Sequence, residues 1–263
     1  MNIGIIGDGA IGSYVRQQLL ARDFDIRVLI VSARKFALGE PHESGLATVA
    51  NAEDIPDEVD HVIDCAGHQA LRMHGPSILE RGIDLSTVSI GALAEPELCM
   101  ELERAATAGK AKLYLAGGAI GALDCLRAAR VGKIDEVTYV GRKPPQGWKG
   151  SPADKRLDLD KLSGDAAVHF EGSARLAATE YPKNANVAAA VALAGIGFDD
   201  TRVKLIADPE IDKNIHEIEV AGEFGQFSFR IEGNSLPDNP RSSALAAMSV
   251  VSLVEQVNHR IRF

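Results

Sequence analysis

Two hydrophobic periods alternate along the first half of the chain. Asn2–Gly7 (NIGIIG) is a short unbroken apolar run, the pattern of a parallel strand covered on both faces. Ala10–Arg22 follows, with Ile11, Tyr14, Val15 and Leu19 at helical spacing. The strand pattern returns at Arg27–Val31 and, after the acidic stretch Glu53–Asp60, at His61–Cys65. Gln69–Arg81 predicts a helix, Ile83–Val88 a strand, Glu95–Ala108 a helix and Lys112–Leu115 a further short strand. Strands that alternate with helices build βαβ units, and right-handed crossovers place the helices on both faces of a parallel sheet. The expectation for residues 1–118 is a doubly wound α/β domain.

The period changes near Ala119. Ala119–Arg130 predicts a helix. Glu136–Arg142, Ala167–Arg175, Arg202–Ala207, Asn214–Ala221 and Gln226–Glu232 carry strand character. The last two flank Gly222-Glu223-Phe224-Gly225, a hairpin turn by composition. With Val187–Ala194 as a covering helix, residues 119–240 predict a second, α+β domain built on an antiparallel sheet, suited to substrate binding and dimerisation. Lys143–Ser163, rich in Pro, Gly and charge, reads as a surface excursion. The final helix, Ser242–Arg260, lines up Ala247, Val250, Val251, Val254, Val257 and Ile261. Such a stripe must be covered, so residues 241–263 are expected to pack back on the N-terminal domain.

The 263 residues and 46% hydrophobic content suffice for two cores. The net charge of −9 argues against a nucleic-acid partner, which needs a basic surface. Cys65, Cys99 and Cys125 form neither a disulfide framework nor a metal spacing. The start Met1–Gly7 lacks the basic region of a signal peptide, and no stretch is long and apolar enough to span a bilayer. Together these features predict a cytoplasmic, metal-free protein without a membrane partner.

Gly7-Asp8-Gly9-Ala10-Ile11-Gly12 fits G-x-G-x-x-G between a strand and a helix. The first glycine makes the turn, the second lets backbone approach a pyrophosphate, and the third packs helix on strand. The helix N-terminus adds unpaired N–H groups and partial positive charge. This is the fingerprint of a Rossmann dinucleotide-binding domain, with Gly7, Gly9, Ala10, Ile11 and Gly12 as cofactor contacts. About twenty residues on, where NAD sites carry a carboxylate for the ribose 2′-OH, stands Ser32-Ala33-Arg34-Lys35. Ser32 and Arg34 fit a 2′-phosphate, or Arg34 and Lys35 are solvated loop charges; the cofactor is NAD or NADP. Ala66, Gly67 and His68 follow an apolar strand, where open parallel sheets bind ligands, and are expected near the nicotinamide.

Five segments carry a resemblance: Cys65-Ala66-Gly67-His68, Val88–Leu93, Gly118–Asp124, Tyr181–Val187 and Asn214-Ile215-His216. In this order they resemble the L-aspartate dehydrogenase family over nearly the whole chain. The resemblance implies NAD(P)-dependent oxidation of L-aspartate to iminoaspartate, which hydrolyses to oxaloacetate and ammonia or feeds NAD biosynthesis. It implies a homodimer, a catalytic role for His216 and cofactor contacts at Ala119 and Asn186. Gly117 departs from the serine of many relatives.

The residues themselves bear on that chemistry. His216, Ile218 and Val220 share one strand face and Glu217 and Glu219 the other, so the imidazole points with the apolar set. An inward histidine is either a satisfied core group or, with a pKa near 6.5, a proton carrier. Asn186 reads as the N-cap of its helix. With Lys183 in the same turn it offers a seat for a substrate carboxylate, so Lys183, Asn186 and His216 are the candidate substrate contacts. Arg241 and Ser242, after Pro240, fit the start of the last helix. No HExxH or G-x-S-x-G occurs. Two other readings remain: a reductase of another small carboxylated imine or 2-oxo acid, and a non-catalytic dinucleotide sensor.

Overall fold

The computed structural model describes residues 1–31, 42, 44–182, 184–236 and 239–261. They form two compact units, Met1–Ala116 with Ala247–Phe263, and Gly117–Ala246. No helix among the described residues is long and apolar enough to cross a membrane.

The first unit is a parallel sheet of six strands: β1 (Asn2–Ile6), β2 (Asp25–Ile30), β3 (Ala47–Val49), β4 (His61–Asp64), β5 (Asp84–Thr87) and β6 (Leu113–Leu115). Their order, β3-β2-β1-β4-β5-β6, is that of the doubly wound dinucleotide fold. β1 and β4 lie at the centre, and Ile3, Ile5, Val62 and Ile63 are wholly buried, which is why these strands read as unbroken apolar runs. The helices are α1 (Ala10–Leu20), α2 (His68–Glu80) and α3 (Pro96–Gly109). α1 buries Val15 and Leu19, α3 buries Leu98, Leu102 and Ala105, and Pro96 opens α3 where a missing N–H costs nothing. β3 was not legible in the sequence, because its three residues, Ala47, Thr48 and Val49, lack the unbroken apolar run that marks β6 at the same length.

The second unit holds α4 (Leu123–Ala129), β7 (Ile134–Lys143), β8 (Ala167–Ser173), α5 (Ala174–Glu180), α6 (Asn186–Ala194), β9 (Arg202–Ala207), β10 (Asn214–Gly222), β11 (Gly225–Gly233), β12 (Ser235–Leu236) and β13 (Asn239–Ser243). Its five-stranded sheet runs β11-β10-β7-β9-β8. The sheet is mixed, not antiparallel throughout, since β7 and β9 pair in parallel. The chain that joins these two strands carries β8, α5 and α6, long enough for a crossover. β10 and β11 form the hairpin around Glu223 and Phe224. α6 is apolar all round and almost wholly buried. α7 (Ala244–Asn258) closes the chain; its Ala247, Val250, Val251 and Val254 are buried, and Glu255 pairs with Arg22 at the end of α1.

Four local expectations are corrected. The helix expected over Ala119–Arg130 begins only at Leu123, because Gly118 and Ala122 adopt left-handed backbone and form a turn. The strand expected over Ala167–Arg175 stops at Ser173, whose hydroxyl accepts from Leu176 N and caps α5. The final helix starts two residues after Ser242, because Asn239–Ser243 is extended and pairs with β12. Lys143–Ser163 is not only a surface excursion: Trp148, Ala153 and Leu159 are buried, and Trp148 Nε1 donates to Ile206 O at 2.9 Å.

Candidate functional site

In the first unit the site is the turn from β1 into α1. Gly7 has φ +91°, which a side chain would strain, and its N–H donates to Ile30 O at 2.9 Å. A Cβ on Gly12 would lie 2.2 Å from Gly7 O, so only glycine lets the helix come this close to the strand. Gly9 is the N-cap of α1, and a Cβ there would meet nothing within 4 Å. The open backbone at Gly9 and the first-turn N–H groups at Ala10, Ile11 and Gly12 fit a diphosphate. Asp8 lies inside the same turn, but its carboxylate is held by Arg16 Nη2 at 3.3 Å and His42 Nε2 at 3.0 Å. That pairing offsets negative charge beside an anion site, and no spacing in the sequence signals it.

β4 ends next to this turn. Cys65 N donates to Ile6 O at 3.0 Å, and Ala66 packs against Gly7. Asp64 is fully buried and accepts from Thr87 Oγ1 at 2.7 Å, Ser89 Oγ at 2.6 Å and Ala66 N at 2.9 Å. Burial pushes its carboxyl pKa up. These bonds fix the turn Cys65-Ala66-Gly67, in which Gly67 has φ +102° and caps α2, whose first residue is His68. Gly7, Ala66 and Gly67 thus meet at the carboxyl ends of β1 and β4, where the strand order reverses and doubly wound folds take their ligands. Ser32 and Arg34 lie outside the described residues, as does Lys183.

In the second unit the site is a polar cluster on the inner face of the mixed sheet. His216 on β10 is 4% exposed, and its Nδ1 lies 2.7 Å from Tyr139 Oη on β7. Burial, and then the charge of Lys143, push its pKa down to about 3, so the imidazole is neutral at neutral pH. Gly141 stands opposite His216 in the ladder, and a Cβ there would lie 2.8 Å from Tyr139 Oη, so glycine leaves the pair its room. Burial pushes the Tyr139 phenol up, and it stays protonated. Lys143, at the end of β7, is 7% exposed. Its Nζ donates to Asn184 Oδ1 at 3.0 Å and lies 4.9 Å from the centre of the Trp148 ring. Burial pushes its pKa down to about 8.

Lys143 is the group that sequence reasoning missed. The signal was present: Val137, Tyr139, Gly141 and Lys143 alternate on one face, and two-residue counting from Tyr139 puts the lysine inside. Asn186 is the first residue of α6 and not its N-cap; the cap is Ala185, because Asn184 and Ala185 both donate to Tyr181 O and close the turn one residue earlier. Ala119 is buried in the glycine-rich turn before α4. His216, Asn186 and Ala119 lie in the second unit, and the glycine turn, Ala66, Gly67 and His68 in the first.

Comparison with known proteins also divides the chain near residue 117, although the second match runs on into α7 of the first unit. Residues 124–257 match the family model described as aspartate dehydrogenase, C-terminal, and residues 7–116 match the NAD binding domain of homoserine dehydrogenase. An L-aspartate dehydrogenase from Ruegeria pomeroyi is 56% identical over 218 residues, which cover 83% of this chain and 79% of that protein. One from Ralstonia pickettii is 44% identical over 266 residues, 99% of each. Among solved structures, the aspartate dehydrogenase of Thermotoga maritima matches with a TM-score of 0.77 at 25% identity and covers 100% of this chain and 99% of that one. An amine dehydrogenase from Mycobacterium smegmatis shares the fold, with a TM-score of 0.56 at 15% identity over 98% of this chain and 92% of that one.

Proposed function

Because the chain belongs to the aspartate dehydrogenase family, we propose that it oxidises L-aspartate to iminoaspartate with His216 as the group that takes the amine proton. The observation that carries this reading is the buried, neutral imidazole held through Nδ1 by Tyr139 on the inner face of the second sheet. A nicotinamide dinucleotide, when bound, supplies the acceptor for the hydride that leaves Cα. Gly7, Gly9, Ala10, Ile11 and Gly12 would hold its diphosphate, with Ala66, Gly67, His68, Ala119 and Asn186 as further contacts. As the hydride leaves, the nitrogen lone pair forms the C=N bond and one N–H proton must go elsewhere. In the tautomer with hydrogen on Nδ1, His216 donates to Tyr139 Oη and keeps its Nε2 lone pair for that proton. Water then adds to the imine carbon, and ammonia departs to leave oxaloacetate. Asn186, Lys183 and His216 are the proposed substrate contacts.

Ser32 and Arg34 in place of an acidic residue remove the repulsion of a 2′-phosphate, which supports use of NADP as well as NAD. We further infer a cytoplasmic homodimer whose product can feed NAD biosynthesis.

The test is spectrophotometric. Purified protein given L-aspartate and NAD+ or NADP+ should produce reduced nicotinamide, and oxaloacetate with ammonia should consume it faster than other 2-oxo acids do. His216→Ala should lower kcat by about 10²–10⁴-fold while the dissociation constant for the dinucleotide stays within twofold. Folded wild-type protein inactive with both cofactors across a broad pH range overturns the reading.

A further inference from the structure

A buried ammonium without a counter-charge is costly, and folded proteins pair such groups. Lys143 breaks that pattern. Among the described residues no Asp or Glu forms an ion pair with it, although the chain has 37 acidic residues against 28 Lys and Arg. Among the described residues it meets a neutral amide oxygen, Asn184 Oδ1, and the face of the Trp148 ring. Asp208, whose N–H donates to Lys143 O, has its carboxylate turned to Arg142 Nη1 at 2.7 Å. Arg142 precedes Lys143 on β7 and so projects from the opposite face of the sheet. The backbone around the lysine is fixed: β9 pairs with it through Ala207, Trp148 anchors the chain beneath it, and Asn184 sits in a hydrogen-bonded turn. The cation is therefore held in place and, among the described residues, left without an anion. It is also close enough to His216 to depress the protonation of that ring.

We propose that Lys143 Nζ is the seat of one carboxylate of the substrate, which completes the missing ion pair and places the amine-bearing carbon near His216. This rests on the L-aspartate reading above. An arriving carboxylate would also cancel the charge that opposes proton uptake by the imidazole, so the same contact that binds the substrate readies the base. Asn184 is then a positioning residue, since it aims the ammonium through the 3.0 Å bond to its amide oxygen.

The test compares wild type with Lys143→Met, which keeps the length of the side chain and removes the charge, and with Lys143→Gln. Succinate, a dicarboxylate that lacks the amine, serves as probe, titrated calorimetrically into protein loaded with reduced cofactor. The inference expects K143M to melt at or above the wild-type temperature and to bind the dinucleotide within twofold of wild type. It expects succinate affinity to fall about 10- to 100-fold in both variants, the range for a lost charge-assisted hydrogen bond, and KM for L-aspartate to rise by a similar factor. Unchanged succinate affinity and unchanged KM overturn it. So does a K143M protein that is unfolded or melts far below wild type, since the ammonium is then structural. Wild type that binds succinate through Lys143 but does not oxidise L-aspartate sinks the proposed reaction and leaves the carboxylate seat standing.

Discussion

Gly9 and Gly12 stand three residues apart and serve different ends. A methyl group on Gly12 would strike Gly7 O, whereas one on Gly9 would enter open space. Gly12→Ala should therefore cost stability, roughly 1–3 kcal/mol from overpacking, seen as a lower melting temperature. Gly9→Ala should melt like wild type yet bind the dinucleotide at least about tenfold more weakly, because the methyl occupies the path of the diphosphate. A Gly9→Ala protein with wild-type affinity would remove the diphosphate from this turn. The glycine turn was legible because its constraint is local: three glycines at fixed spacing between an apolar run and a helical one. The inward placement of His216 was legible by alternation along β10. The alternation along β7 signals the inward face of Lys143, but its partner Asn184 and the Asp8–Arg16–His42 cluster were not legible, since those groups are brought together only by tertiary structure.

At the scale of elements, the sequence signals that failed did so at their ends. Ser173 caps α5 in a segment whose composition reads as strand, and the helix of seven residues is too short to show its own period. The stretch Lys143–Ser163 looked solvent-facing because Pro, Gly and charge dominate it, yet one tryptophan fixes it to the sheet. Trp148→Ala should cost about 3–5 kcal/mol, the usual range for a buried aromatic truncated to alanine. Denaturant midpoints measure the loss, and limited proteolysis should show new cleavage between Lys149 and Ser163. If cleavage stays absent and the midpoint is unchanged, Trp148 does not anchor the segment. The six parallel strands were largely legible, because two-sided burial leaves an unbroken apolar run that composition alone reveals.

For the molecule as a whole, three buried histidines set the acid limit. Burial pushes His61 and His169 down to about 4 and His216 to about 3. All three stay neutral in the folded protein, whereas in the unfolded chain they take protons below about pH 6.5. The unfolded state binds more protons there, so stability falls as pH drops from 6.5 toward 4, by up to about 4 kcal/mol per pH unit if all three contribute at 1.36 kcal/mol per proton. Asp64 works in the opposite sense, since its raised pKa lets the folded state take a proton first, but it is one group against three. Denaturant midpoints at pH 7, 6 and 5 should decline steadily; a flat profile contradicts the burial of these rings. The edge strand β11 pairs with β10 alone among the described residues and alternates exposed positions along its length. An uncapped edge of this kind suits pairing with its copy, so sedimentation should report twice the monomer mass of 28.0 kDa.

The first unit is discontinuous in sequence: it takes residues 1 to 116 and then residues from Ala247 onward, with Ala247, Val250, Val251 and Val254 buried. A ribosome delivers those four apolar side chains only after the whole second unit. The nucleotide-binding half, though first to emerge, must wait with part of its interior incomplete while the intervening 130 residues (117 to 246) are made in full. The order of maturation is thus reversed with respect to the order of synthesis, and loss of the residues from Ala247 onward would harm the unit that holds the opening glycine turn.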